Sequence, residues 1–84
     1  MDRRLVSSGS PYETKIGLRE AGTQPEHVVR TRTYLVDVND SDEVGRAHGE
    51  MFGDVRPAST MLVVSGFLDP LWLVEIEADA LLPE

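Results

Sequence analysis

Glu75, Glu77 and Asp79 place three carboxylates at alternate positions of one short run. In an extended chain that spacing puts all three on one strand face. Neighbouring carboxylates raise one another's proton affinity, so such a row can work as an acid/base or water-orienting site. It is also the commoner pattern of a solvated strand face, and the spacing alone does not separate the two. Arg56 lies in a Gly- and Pro-punctuated turn ahead of an apolar run. An arginine so placed can grip a carboxylate through two parallel hydrogen bonds, or make a surface or interface ion pair. His48 falls within an apolar helical stripe. No Ser or Cys nucleophile is paired with it by sequence spacing, so it reads as a satisfied, partly buried histidine rather than a general base. Trp72 sits in a strand connection, either as an interface aromatic or against the core edge. His27 and His48 are not spaced with the acids as metal ligands, and no oxygen-rich calcium loop exists.

The elements that must carry these residues follow from periodicity. Residues 3–8 (RRLVSS) form a short edge strand, broken by Gly9-Ser10-Pro11, and 11–17 reads as loop. Leu18 to Ala21 favours helix, and Gly22 suits the position that ends one. This helix has barely one turn, too little to stand alone. His27 to Val38 is a strand rich in Val, Thr and Tyr. Its Val29, Thr31, Thr33 and Leu35 face is assigned to a helix-covered core. Its Val28, Arg30, Arg32 and Tyr34 face is assigned to partial exposure or a neighbouring subunit. Asp40 or Ser41 caps a helix in which Val44, Ala47, His48, Met51 and Phe52 form the apolar stripe. Gly45 and Gly49 are expected to let that helix approach the sheet closely, and Gly53 ends it. Ser59 to Phe67 is nearly continuous in apolar residues and predicts a strand covered on both faces, with a bulge or close contact at Gly66. Leu73 to Leu82 alternates cleanly and predicts a half-buried antiparallel strand. The order is that of an α+β protein with helices on one face of a mostly antiparallel sheet.

The 84 residues are expected to form one domain, 1–84, with a thin core. Eight Lys+Arg against 15 Asp+Glu give a net charge of −7. That balance repels polyanions, so the alternation of Arg30 and Arg32 with Tyr34 is a weak argument for RNA. Cysteine is absent, so there is no disulfide and no thiolate site. No run approaches the length of a membrane helix, and the N-terminus lacks the apolar stretch of a signal peptide. The expectation is a cytoplasmic protein that binds neither membrane nor nucleic acid.

Three segments together, HVVRTRTYLVDVND, HGEMFGDVRPASTMLVV and LVEIEADALL, closely resemble the RidA/YjgF family, also labelled L-PSP endoribonuclease-like. The resemblance covers Leu18 to Leu82 almost without a break, and SSGSPYETKIG is similar to the family's N-terminal entry. It implies a chorismate-mutase-like trimer with small-molecule sites in the clefts between subunits. It implies hydrolysis of reactive 2-imino and enamine acids to 2-oxo acids and ammonia, with no metal and no cofactor. Glu75 matches the residue that orients the attacking water.

Two departures stand out. Ile16-Gly17 runs directly into Leu18-Arg19-Glu20-Ala21-Gly22, where the family carries an N-terminal hairpin and most of a first helix. The gap is about 30–45 residues by ordinary element lengths, and it accounts for the helix stub. Moreover, deaminating members carry a substrate-gripping arginine directly after Pro-Ala, whereas here Ser59 follows Pro57-Ala58. Serine offers no charged fork. Arg56 is near but is not a positional match, and Gly45 replaces a site asparagine. The expected site is Glu75 as the catalytic residue, with Ser59 and Arg56 binding substrate. The function expected from the family is imine/enamine deamination. The alternative is a non-enzymatic small-ligand-binding or interaction module on the same scaffold.

Overall fold

The computed structural model describes residues 2–8 and 17–82. The expected break at 9–11 and the loop over 11–16 lie outside the described residues. Four strands and one full helix organise the rest: β1 (Asp2–Ser8), β2 (Val28–Leu35), α1 (Ser41–Phe52), β3 (Ala58–Val63) and β4 (Val74–Leu82). The sheet order is β1-β4-β2-β3. β4 runs antiparallel to both β1 and β2, whereas β2 and β3 are parallel. A parallel pair needs a crossover too long for a hairpin, and α1 supplies it. This is the α+β arrangement that the sequence implies. One N-terminal strand, paired with β4, stands at the edge of the sheet.

The first helical turn, 17–20, ends as its sequence predicts. Gly22 takes a left-handed φ of 78°. Its N–H donates to the Arg19 carbonyl at 3.0 Å, and that of Thr23 to Leu18 at 2.9 Å. This pair of bonds caps the turn in the Schellman manner. The Arg4 guanidinium, reaching over from β1, donates to the Ala21 carbonyl. A cation there also suits the negative end of the turn.

The core lies between the sheet and its helices. Leu18, Val28, Phe52, Ala78 and Ala80 form one buried cluster, with Ala21 and Met51 packed against it. Leu35, Ile76, Thr31 and Thr33 are buried along the same side of the sheet. The burial pattern of β2 departs from simple alternation at one point. Val28 is 3% exposed and Val29 45%, the reverse of the sequence expectation. A register shift between Val28 and Arg30 against β4 explains it. The extra residue of a bulge moves Val28 onto the core face and turns Val29 out.

Three other expectations are corrected. Neither Asp40 nor Ser41 caps α1 with its side chain. A 3-10 turn over Val38–Asp40 precedes the helix, and Asp37 accepts from the Asn39 N–H instead, at 2.9 Å. Gly45 and Gly49 are not needed for a close approach. An added Cβ at Gly45 would meet Met61 only at 4.0 Å, and one at Gly49 would meet nothing. Gly53, by contrast, is sterically fixed, since a Cβ there would fall 2.5 Å from the Gly49 carbonyl oxygen.

The third correction concerns β3. It ends at Val63, short of Gly66, and is exposed at every position. Its continuous apolar pattern suggests cover on both faces, but within the chain it is an edge strand beside β2. Leu62 (48% exposed) and Val63 (56%) meet solvent, as do Leu71 and Trp72 in the connection to β4. The Phe67 and Trp72 rings pack at 6.3 Å.

Candidate functional site

The two faces of the sheet carry different chemistry. Opposite α1, Glu75, Glu77 and Asp79 line up on β4 as the alternate spacing dictates. Across from them in register stand Tyr34, Arg32 and Arg30 of β2. The Tyr34 hydroxyl donates to Glu77 Oε1 at 2.5 Å. Arg32 donates from Nε to the same oxygen at 3.4 Å and reaches Asp79 Oδ2 at 3.6 Å. Arg3 of β1 donates to Asp79 Oδ2 at 3.1 Å. Asp79 is the most deeply placed of the three acids at 6% exposure, and its second oxygen, Oδ1, is buried without a hydrogen-bond partner among the described residues. Thus Glu77 and Asp79 are neutralised by two arginines. The hydrogen bond to Glu77 holds the Tyr34 phenol protonated, raising its pKa above the usual 10. The same carboxylate raises that of Arg32. Glu75 is half-buried beside Tyr34, its cross-strand partner.

On the α1 side, a second polar group links three elements. The Thr31 hydroxyl lies 2.7 Å from His48 Nε2. It also donates to Ser59 Oγ at 3.3 Å. Thr31 is fully buried, Ser59 is exposed at the start of β3, and His48 stacks obliquely on Phe52 with ring centroids 4.9 Å apart. The parallel register sets Ser59 beside Thr31, and α1 lowers His48 onto Thr31.

Desolvation pulls the His48 pKa below its ordinary 6.5. The folded chain therefore resists protonating this ring, whereas the unfolded chain takes the proton near 6.5. Its contribution to stability is complete above that pH and is lost as pH falls from about 6.5 toward the lower folded value. Urea titrations above and below this window should show less acid sensitivity in His48→Gln than in the wild type. An equal loss in both proteins would remove His48 as the cause.

Arg56 is exposed in the turn between α1 and β3, with a left-handed φ of 54°. Its N–H and that of Val55 both donate to the Phe52 carbonyl, at 2.9 and 3.0 Å. A residue with a Cβ holds this conformation at a cost of roughly 1–2 kcal/mol. Arg56→Gly is expected to raise stability by about 0.5–1 kcal/mol, the gain being reduced by the glycine's greater freedom when unfolded. Thermal unfolding checks it, with a rise of roughly 2–8 °C. A fall would mean that the arginine side chain contributes more than its backbone costs.

The structure therefore divides the residues that the sequence singles out. Glu75 lies on the open face, Ser59 points to the α1 side, and Arg56 occupies the turn just before Ser59. Within one chain, Ser59 and Glu75 do not converge. The sequence reading missed the tie of Tyr34 and Arg32 to Glu77, and the role of Thr31 in joining His48 to a serine. The mixed Arg and Tyr character of one β2 face was the only signal of the first. Nothing local marked the second. Among the described residues, no group of three or more His, Asp or Glu is disposed to hold a metal ion. No helix among them is long and apolar enough to cross a membrane.

The β-α-β crossover flanked by antiparallel strands superposes on solved structures of the YjgF/Rid class. The chain belongs to the Endoribonuclease L-PSP family, whose model matches residues 13–82. It is 45% identical over 84 aligned residues to an uncharacterized protein of Streptomyces coelicolor, covering 90% of this chain and 63% of that one. A RutC family protein of Pyrococcus abyssi is 36% identical over 63 residues, covering 75% and 49%. Among solved structures, a member of the YjgF/YER057c/UK114 family from Mycobacterium tuberculosis superposes with a TM-score of 0.76. It is 44% identical over 81% of this chain and 58% of its own. A Rid-family protein of unknown function from Yersinia pestis gives 0.76 at 33% identity, over 86% and 56%. The chain thus spans about half to two thirds of the length of these relatives, in keeping with an internally shortened member.

Proposed function

We propose that this chain is a small-ligand-binding module on the Rid scaffold, acting without a cofactor at clefts between the subunits of a cytoplasmic homotrimer. One observation carries the reading. By the family resemblance Ser59 falls where deaminating members carry a substrate-gripping arginine, and its hydroxyl is bound to Thr31 rather than offering a charge. Ligand contacts fall to Ser59 and the exposed Arg56. The exposed apolar residues of β3 and the following connection favour assembly, since a continuous apolar strand left at an edge invites a partner. Sedimentation showing only monomer at micromolar concentration would remove the trimer.

The position of Glu75 favours a second reading, hydrolytic deamination. Its carboxylate would orient water onto the carbon of a 2-imino acid. The carbinolamine so formed would expel ammonia and leave the 2-oxo acid. A coupled assay with 2-iminopropanoate and 2-iminobutanoate separates the two readings. Ammonia release no faster than without protein supports the binding module. Release that is accelerated by the protein and abolished by Glu75→Ala establishes the deaminase.

A further inference from the structure

We propose that Ser59 is a nucleophile toward activated acyl groups, its proton drawn through Thr31 to His48. The residues form a continuous path from solvent to a sheltered base. Ser59 is exposed at the start of an edge strand, so an ester can reach its Oγ. Thr31, wholly buried, lies 3.3 Å from that oxygen and 2.7 Å from His48 Nε2. In the resting arrangement Thr31 donates to Ser59; a hydroxyl both donates and accepts, so on rotating its proton to the imidazole Thr31 takes the Ser59 proton in exchange. Burial disfavours the protonated form of His48, and in the Nδ1–H tautomer its Nε2 is the acceptor facing Thr31. This path differs from a direct Ser–His pair by one interposed hydroxyl, and its parts come from β2, α1 and β3. It involves neither Glu75 nor Arg56, and it holds whether the chain binds a small ligand or deaminates one.

The step balances without any further reactant. Ser59 Oγ bonds to the acyl carbon as the ester's bond to its leaving oxygen breaks. The serine proton moves to Thr31 Oγ1 and the threonine proton to His48 Nε2. The leaving group departs as the phenolate or, for a poorer one, takes a proton back from the imidazolium. Water then repeats the path on the acyl-serine, releasing the carboxylic acid and restoring Ser59.

p-Nitrophenyl acetate is the probe, used on the full chain with stopped-flow detection of p-nitrophenolate and peptide mass mapping. The expected result is a burst and one acetyl group on the peptide containing Ser59, both absent in Ser59→Ala. Thr31→Val keeps the shape but cuts the path, and is expected to slow acylation by roughly 10²-fold, the scale of general-base assistance. Thr31→Ser restores the hydroxyl and should recover most of the rate, which a merely structural role for Thr31 would not explain. His48→Gln should match Thr31→Val. Acetylation confined to Lys15, the N-terminus or His48 itself would overturn the proposal. So would equal rates in Thr31→Val and the wild type.

Discussion

Phe52→Ala is expected to cost about 3–5 kcal/mol, as large aromatic-to-alanine changes in cores do. Phe52 is 1% exposed and is the last residue of α1. It joins Leu18, Val28, Ala78 and Ala80, so it is the main tie between the helix and the sheet. Three further dependencies run through it. His48 packs on its ring, its carbonyl accepts from the Val55 and Arg56 N–H groups, and Gly53 closes the helix directly after it. A small domain's whole stability is about 5–15 kcal/mol. A chain of 84 residues sits toward the low end of that range because it buries a smaller share of its surface. The loss should therefore leave much of the protein unfolded at room temperature. The measurement is urea unfolding followed by far-ultraviolet circular dichroism, with the apolar-conserving Phe52→Leu as the milder partner. A cost below about 1 kcal/mol would mean that the site collapses around the deletion and that α1 is held chiefly by other contacts.

Ser59→Arg should tighten binding of a 2-oxo acid such as pyruvate by roughly 10- to 150-fold. A hydrogen bond to a charged group contributes about 1.5–3 kcal/mol, and a bidentate arginine is the geometry that a carboxylate prefers. The site can accept the change because Ser59 is exposed and makes only a 3.3 Å bond to Thr31. Thr31 keeps its shorter bond to His48 when the serine is lost. Titration calorimetry against pyruvate reads the gain. Ser59→Lys is the control that supplies charge without the planar fork. No tightening in the arginine variant would show that position 59 does not face the ligand. Tightening with lysine but not arginine would show that charge, and not bidentate geometry, is what the site lacks.

Much of the scaffold was legible before folding, for reasons visible in individual residues. The alternation from Val74 to Leu82 reads directly as a half-buried strand, and the structure makes it β4. The stripe from Val44 to Phe52 and the glycine after it read as a helix with its end. Gly22 reads as a stop for a helix of one turn. Each of these signals acts over ten residues or fewer and needs no partner to be recognised. The shared face of Glu75, Glu77 and Asp79 follows from the two-residue period in the same way.

What the sequence by itself determined is therefore the set of elements, the face each presents, and the family that their motifs define. Only the tertiary structure decided which faces meet. A single extra residue exchanged the burial of Val28 and Val29, because register is a property of two strands and not of one. The apolar run of β3 looked like a central strand yet stands at an edge, since local composition does not specify what lies alongside. The carboxylate row proved to be two acids paired with arginines and a tyrosine, with Glu75 beside that tyrosine. Ser59 was joined to His48 only because parallel pairing brought it to Thr31 and the crossover helix brought the imidazole to the same threonine. Those residues are 28 and 17 positions from Thr31. Contacts across such distances are fixed by the packing of whole elements, and no local pattern encodes them.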